Sequence, residues 1–159
     1  MNKNFKNPHL VFAVDIGNTM TSVVLFQGNR IVLRKSIATN LRADSLARDF
    51  SALIKGVKKS YPRLQDAVVC SVVPKASRGI VRILKKNLDG NVFVVGQGLK
   101  FPIKNCYSNP KQVGQDRLAC AYAAKEQYGC PVIIIDFGTA LTIDVVSAKG
   151  EYKGGMIVA

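Results

Sequence analysis

The chain has 159 residues, 48% of them hydrophobic, which is enough to bury one core and short for two complete domains. Its 23 Lys and Arg against 10 Asp and Glu give a net charge of +13, but the excess is spread along residues 1–110 and tryptophan is absent. The hydrophobic content excludes a disordered chain, and the apolar runs are too short for a membrane span. A nucleic-acid-binding surface would need basic residues clustered among aromatic ones. The interpretation as a nucleic-acid-binding protein therefore rests on net charge alone.

The cysteine pattern and the first residues indicate a cellular compartment. The four cysteines have no CxxC spacing and the only histidine is His9, which argues against a zinc site. The opening residues, MNKNFKNPHL, are polar and lack the apolar core of a signal peptide. We expect reduced thiols in a cytoplasmic protein.

The first part of the chain reads as a mixed sheet with helices. Three short strands joined by tight turns predict an antiparallel meander: Leu10–Asp15, Thr21–Gln27 and Ile31–Ile37. Apolar periodicity then predicts a helix, a strand, a helix and a strand: Ala43–Tyr61, Asp66–Val73, Ala76–Leu88 and Asn91–Val95. This alternation implies parallel pairing with right-handed crossovers, so the predicted class is α/β with a β-β-β-α-β-α-β mixed sheet.

The remainder repeats only the opening of that pattern. We expect a loop, a helix and a second three-stranded meander: Gly98–Lys111, Val113–Tyr128, then Val132–Asp136, Leu141–Val146 and Tyr152–Val158. The predicted organisation is a first lobe at 1–110, then a connecting helix and the opening meander of an incomplete second lobe at 111–159. A lone meander has one apolar face with little to cover it.

Two strand–acid–glycine–strand segments are the most informative feature. Residues 11–24 read VFAVDIGNTMTSVV and residues 132–146 read VIIIDFGTALTIDVV, with Asp15 and Asp136 lying 121 positions apart. In each copy an apolar run is followed by Asp-x-Gly, a threonine and a second β-rich run. We interpret this as a duplicated fold that holds a ligand between the copies.

The chemistry of the first copy suits a phosphate. Gly17 lets backbone N–H groups approach an anion, and Asn18, Thr19 and Thr21 add neutral donors. Asp15 would repel a bare phosphate, so its expected role is to hold Mg²⁺ or the water shell of that ion. The alternative is an ordinary hairpin turn, in which Asn and Gly are common, but the second copy argues against coincidence.

The opening of the alanine-rich helix pairs a carboxylate with a guanidinium. Gly114-Gln115-Asp116-Arg117 would place a general base, Asp116, beside an anion anchor, Arg117. The alternative is that Asp116 only complements the helix dipole. Upstream, Tyr107-Ser108-Asn109-Pro110 reads as a rigid turn able to shape a small polar pocket.

Taken in order, these motifs resemble the type III pantothenate kinases. The motifs are DIGNT at 15–19, SVVP at 71–74, YxNP at 107–110, GxDR at 114–117, DFGTAxT at 136–142 and GxYxGG at 150–155. The resemblance covers essentially the whole chain and implies the fold of the acetate and sugar kinase, heat-shock chaperone and actin superfamily. It implies transfer of the ATP γ-phosphate to pantothenate, the first step towards coenzyme A.

The resemblance also implies roles on the nucleotide side. The residues that would contact ATP and Mg²⁺ are Asp15, Ile16, Gly17, Asn18, Thr19, Met20, Thr21 and Ser22, with Asp15 holding Mg²⁺ indirectly. Thr139 would contact ATP, and Asp136 would bind a monovalent cation, K⁺ or NH₄⁺. Leu141 departs from the family pattern, which usually has a small polar residue there, and we expect a minor effect on nucleotide binding.

On the acceptor side, the resemblance makes Asp116 the base that takes the proton of the pantothenate hydroxyl. The substrate-binding residues would be Tyr107, Gly114, Gln115, Asp116 and Arg117. The implied partners are pantothenate and ATP, with a second copy in a homodimer. Family members continue beyond the length of this chain. The alternative function is therefore a catalytically silent fragment or accessory protein of the same fold that acts through protein association.

Overall fold

The computed structural model describes residues 9–39 and 43–158. The chain divides into two compact units, which are described separately: unit 1 ends at Gly98 and unit 2 begins at Leu99. The elements numbered from the N-terminus in unit 1 are β1 (Leu10–Ile16), β2 (Met20–Gln27), β3 (Arg30–Ala38), α1 (Ala43–Ser60), β4 (Asp66–Ser71), α2 (Pro74–Asn87), β5 (Val92–Val95) and, at its end, β6 (Gly98–Leu99). The elements that follow are β7 (Lys104–Asn105), a 3-10 turn (Pro110–Gln112), α3 (Gln115–Tyr128), β8 (Val132–Phe137), β9 (Leu141–Val146) and β10 (Glu151–Val158).

Unit 1 is built on a six-stranded sheet with the order β3-β2-β1-β4-β5-β6. The first three strands form the antiparallel meander, and β4 and β5 add to it in parallel. Parallel neighbours need a crossover connection, and α1 and α2 provide those connections. The predicted mixed α/β sheet is thereby confirmed, with strand and helix bounds close to the predicted ones.

The core of unit 1 lies between this sheet and its two helices. In β1 the alternate residues Phe12, Val14 and Ile16 are buried, as strand geometry requires for one face of a sheet. The apolar stripe of α1 covers them with Leu46, Phe50, Ile54 and Val57. Phe12 and Phe50 meet edge to face with ring centroids 6.4 Å apart. The whole core therefore lies on one side of β1, and Asp15 alternates to the other side.

Unit 2 has a four-stranded sheet with the order β7-β10-β9-β8. Its buried residues are few, namely Val113, Ala121, Val146 and Tyr152, with Val132 and Ile134 packed against them. Helix α3 contacts β8 and β9 on this face. Within the described residues, no helix is both long and apolar enough to cross a membrane.

The other face of the unit 2 sheet is apolar and exposed. Ile133, Ile135 and Phe137 alternate along β8 and are 65%, 54% and 83% exposed. Met156 and Val158 of β10 are also exposed. This face therefore forms a continuous apolar surface across the strands.

The segment predicted as a loop, Gly98–Lys111, contains regular structure. Strand β7 pairs in parallel with β10, Lys104 opposite Glu151 and Asn105 opposite Tyr152, and a 3-10 turn follows it. Two paired residues are too few to show a period of two, so this strand has no signature in the sequence. Strand β7, which lies in the part that the sequence grouped with the first lobe, thus belongs to the sheet of unit 2.

Candidate active site

The first acid–glycine motif forms the turn at the carboxyl end of β1. Asp15 is opposite Ser22 and Ile16 is opposite Thr21, so residues 17–20 make the turn. The Gly17 N–H donates to the Met20 carbonyl at 3.0 Å. Because Asp15 is exposed at the end of a central strand, it is held on a rigid support and faces solvent.

The eight residues predicted to contact ATP have unequal exposure. Asp15, Asn18, Thr19 and Met20 are exposed, and Gly17 and Ser22 are partly exposed. Ile16 and Thr21 are fully buried, and the Thr21 hydroxyl pairs with that of Thr39 at 2.8 Å. Thr39 also donates its N–H to the Thr19 carbonyl at 2.8 Å. Thr39, the residue that follows β3, therefore anchors the turn, a role that sequence inspection missed.

The end of β4 lies beside this turn. Ile16 is opposite Ser71 in the parallel pair, and the Val72 N–H donates to the Ile16 carbonyl at 3.1 Å. The Ser71 hydroxyl accepts the Val73 N–H at 3.0 Å, and α2 begins at Pro74. Ligands of open α/β sheets bind outside the carboxyl ends of the strands, which is where these groups lie.

The second acid–glycine motif makes a shorter turn in unit 2. Phe137 is opposite Leu141, so only residues 138–140 form the turn, and the Gly138 N–H donates to the Ala140 carbonyl at 3.2 Å. Asp136 and Thr139 are exposed. Asp136 is opposite Thr142 and shares its face of β8 with Ile134, which packs towards α3. The carboxylate therefore lies on the same side of the sheet as α3.

The GxDR motif forms the beginning of α3. Gly114 precedes the first helical residue, Gln115, and the Leu118 N–H donates to the Gly114 carbonyl. Asp116 lies in the first turn, where its carboxylate accepts the backbone N–H of Arg117 at 2.9 Å. A carboxylate at this position is also stabilised by the helix dipole. The helix thus fixes the side chain predicted to act as a base.

Arg117 is bound by a carboxylate that the sequence analysis did not select. Its Nε donates to both oxygens of Asp144 at 3.1 Å, and its Nη2 donates to Oδ1 at 2.6 Å. Asp144 is only 2% exposed, and its Oδ1 also accepts the hydroxyl of buried Tyr152 at 2.5 Å. Because the guanidinium donates these hydrogen bonds to Asp144, the pKa of Arg117 is raised. Burial, then the bond to Asp144, raises the pKa of Tyr152, which keeps its proton and remains a donor.

One sequence signal could have pointed to Asp144. It interrupts an apolar strand, between Ile143 and Val145, and an acid in a buried strand position needs a partner. The partner, Arg117, lies 27 residues earlier, and no periodicity links the two. In unit 2 the structure brings the start of α3 over Asp144, which is two residues along β9 from Thr142, the residue opposite Asp136.

Tyr107 packs against Gly154, the first glycine of the pair that ends the GxYxGG motif. A Cβ on Gly154 would overlap the Tyr107 ring, and a Cβ on Gly155 would overlap the Ile143 carbonyl. The Tyr107 N–H donates to the side-chain oxygen of Asn105 at 3.0 Å. Close packing therefore requires Gly154 beside the predicted substrate residue Tyr107 and Gly155 beside the backbone of Ile143.

The candidate metal ligands are single carboxylates, which suit a cation that is held mainly by waters and phosphate oxygens. In the described parts of the chain, no three His, Cys, Asp or Glu side chains come together as a metal site. Asp15 and Asp136 are each exposed, and neither belongs to such a group among the described residues. A single carboxylate with waters and phosphate oxygens is the usual protein contribution to a Mg²⁺ site. Asp15 fits that role, and Asp136 offers one anionic oxygen ligand for a monovalent cation.

Solved structures with a similar backbone identify the fold. A Ppx/GppA phosphatase from Aquifex aeolicus matches with a TM-score of 0.58 at 11% identity, over 94% of this chain and 52% of that one. A ROK family glucokinase from Streptomyces griseus, solved with glucose and AMPPNP, matches with a TM-score of 0.52 at 15% identity, over 93% and 47%. At such identities the likeness shows the fold alone, which is the actin-like ATPase fold.

Sequence comparison identifies the family. A type III pantothenate kinase from Chlorobium chlorochromatii is 40% identical over 152 residues, 94% of this chain and 56% of the relative. A type III pantothenate kinase from Persephonella marina is also 40% identical, and the chain spans 56% and 59% of the lengths of these relatives. The family model for type III pantothenate kinases matches residues 11–159. The match runs through both acid–glycine turns and the start of α3, and the chain belongs to the type III pantothenate kinase family.

Proposed function

We propose that the protein transfers the γ-phosphate of ATP to the hydroxyl of pantothenate, giving 4'-phosphopantothenate, the first step of coenzyme A biosynthesis. The observation that carries this proposal is the family match over residues 11–159, which includes every predicted site residue. The exposed Asp15 turn at the carboxyl end of β1 supports it, because phosphates bind at such strand ends.

On the nucleotide side, the proposed ligands are the residues of the β1–β2 turn. The exposed side chains of Asp15, Asn18 and Thr19 would face the phosphates, and the buried Ile16 and Thr21 would act through backbone groups. Asp15 would hold Mg²⁺ through its water shell, and Mg²⁺ would neutralise charge on the phosphates. Thr139 would also contact ATP, and Asp136 would bind K⁺ or NH₄⁺.

On the acceptor side, Asp116 would take the proton of the pantothenate hydroxyl. The hydroxyl oxygen then bonds to the γ-phosphorus while the bond from that phosphorus to the bridging oxygen breaks, and ADP leaves with the electron pair. Tyr107, Gly114, Gln115 and Arg117 would line the acceptor site. The hydrogen bond from the Arg117 N–H to Asp116 orients this carboxylate before substrate binds.

The proposal also covers the cellular compartment, the oligomeric state and the cofactors. We expect a cytoplasmic enzyme that works as a homodimer on two small molecules, with Mg²⁺ and a monovalent cation as cofactors. The exposed apolar face of Ile133, Ile135 and Phe137 is the observation behind the alternative of a silent, associating protein. The family match favours the enzyme over that alternative.

The test is phosphorylation of pantothenate by the protein expressed from its complete gene. We expect ATP-dependent turnover that requires K⁺ or NH₄⁺ and that Asp116→Asn lowers by about 10²–10⁴-fold in kcat, the usual effect of removing a general base. Glu126→Gln, an exposed acid on the same helix, is the matched control and should leave kcat unchanged. No turnover with any monovalent cation would remove the kinase assignment, and unchanged turnover in Asp116→Asn would remove the base.

A further inference from the structure

A buried polar triad connects three elements of unit 2. Asp144 of β9 is 2% exposed and accepts hydrogen bonds from Arg117 of α3 and Tyr152 of β10. The Arg117 side chain is 15% exposed, so its guanidinium lies at the border between the interior and solvent. The triad therefore connects the interior of unit 2 with the surface at the beginning of α3.

The geometry of the pair fixes the orientation of the guanidinium. Asp144 binds the edge formed by Nε and Nη2, so Nη1 is at the corner that points away from this carboxylate. A guanidinium is planar and rigid, so holding one edge sets the direction of the remaining N–H groups. The same residue's backbone N–H is bonded to Asp116. The guanidinium is thus held in a defined relation to the proposed base.

Tyr152 orients the carboxylate in turn. Its hydroxyl donates to the same oxygen, Oδ1, that accepts Nη2 of Arg117. The Tyr152 side chain is fully buried, and the pKa raised by burial and by Asp144 keeps the hydroxyl protonated. Asp144 is therefore restrained from two sides, by a cation and by a neutral donor.

Fold stability alone is a weak reason for such an arrangement. Apolar residues of similar volume often replace a buried ion pair without loss of stability, since desolvation of both charges offsets their attraction. An ion pair that orients one charged group towards the surface is better suited to binding a ligand than to stabilising the core. An oriented guanidinium can bind a carboxylate through two parallel hydrogen bonds.

We infer that Asp144 is a positioning residue, supported by Tyr152, that holds Arg117 to bind the carboxylate of pantothenate. This inference rests on the proposed function. It predicts that loss of Asp144 weakens acceptor binding and leaves ATP binding intact, because the triad of Arg117, Asp144 and Tyr152 includes none of the residues proposed to bind the nucleotide.

The experiment measures both Michaelis constants in the protein expressed from its complete gene. The variants are Asp144→Asn, Arg117→Gln and the double variant, with Glu151→Gln as the control, which removes an acid on β10 that pairs with Lys104 and Lys153 instead. We expect each single variant to raise the KM for pantothenate by about tenfold or more, as expected when a hydrogen bond to a charged group is lost. The KM for ATP should stay within about twofold, and the double variant should be no worse than Arg117→Gln, since both act through one contact.

The outcomes separate the two proposals. A wild-type protein without pantothenate phosphorylation overturns the proposed function. If the wild type is active, two results overturn only the positioning role. One is an unchanged pantothenate KM in Asp144→Asn, and the other is a double variant in which the KM increases of the single variants multiply. If Asp144→Asn does not fold by circular dichroism, Tyr152→Phe decides, because it keeps the ion pair. It should raise the pantothenate KM by about two- to fivefold, because Asp144 loses one of its two restraints and keeps the ion pair, and an unchanged KM overturns the inference.

Discussion

The two three-stranded meanders share a sequence pattern and differ in burial. Phe12, Val14 and Ile16 of β1 are 0–2% exposed beneath α1 and α2. The residues at the same offsets from the second aspartate, Ile133, Ile135 and Phe137 of β8, are 54–83% exposed. Strand geometry decides which side chains share a face. Whether that face is buried depends on the elements that pack on it, and in unit 1 those are the two helices.

The first prediction tests this difference in burial. Phe12→Ala should lower the free energy of unfolding by about 3–5 kcal/mol, the usual cost of a cavity left by a buried phenylalanine. Phe137→Ala should change it by less than about 0.5 kcal/mol, because its ring contacts mostly solvent. Urea unfolding followed by circular dichroism measures both. Equal losses at every protein concentration would show that the face of β8 is covered in solution.

Close packing in the second meander gives the next largest effect. Gly155→Ala should destabilise the protein by about 3 kcal/mol, because the added Cβ would overlap the Ile143 carbonyl and β9 and β10 would have to separate. Gly79→Ala in α2 is the control in unit 1, where an added Cβ has no neighbour within 4 Å. It should stabilise by about 0.5–1 kcal/mol through helix propensity. Thermal unfolding of the two variants in parallel measures the contrast, and a tolerated Gly155→Ala would contradict the close approach of these strands.

The two motif glycines should differ by less. In Gly17→Ala the Cβ would lie 3.2 Å from the Met20 carbonyl oxygen, a tight contact that we expect to cost about 1 kcal/mol. In Gly138→Ala the nearest atom, the Ala140 carbonyl oxygen, is at 3.7 Å, an ordinary contact, and the change should stay within about 0.5 kcal/mol. Chemical denaturation resolves the two values. The reverse order would mean that the shorter turn of the second copy is the more constrained one.

The smallest effect concerns the ion pairs of Glu151, one of which joins β10 to the edge strand β7. Hydrogen bonds from Lys104 and Lys153 lower the pKa of Glu151 to about 2. The folded state therefore favours the ionised form, so the stabilisation is complete above the ordinary pKa of about 4.5 and is lost as pH falls towards 2. Glu151→Gln should flatten the fall of stability across this window and change little at neutral pH, because exposed ion pairs contribute little. Urea titrations between about pH 2 and pH 5 measure the slope, and equal slopes in both proteins would exclude Glu151 as its source.

Most elements could be predicted because their signals are local. Alternation of apolar residues located the strands, and the stripe of Leu46, Phe50, Ile54 and Val57 located α1. Strand β7 was missed because its pairing with β10 joins residues 47 positions apart and only two residues long. Asp144 was missed for the same reason, since its partner lies on another element. The assigned roles of the candidate site residues remain predictions, and the variants proposed above test those of Asp116 and Arg117.

The sequence by itself determined the two acid–glycine hairpins, the α/β class and the family, because each is written in adjacent residues or in motif order. Only the tertiary structure decided that Thr21 turns inwards to Thr39, that Arg117 is held by Asp144 and Tyr152, and that one apolar face is covered while its counterpart is exposed. The physical reason is that hydrogen bonding and burial depend on residues brought together from distant positions, and spacing along one chain does not encode which of them meet.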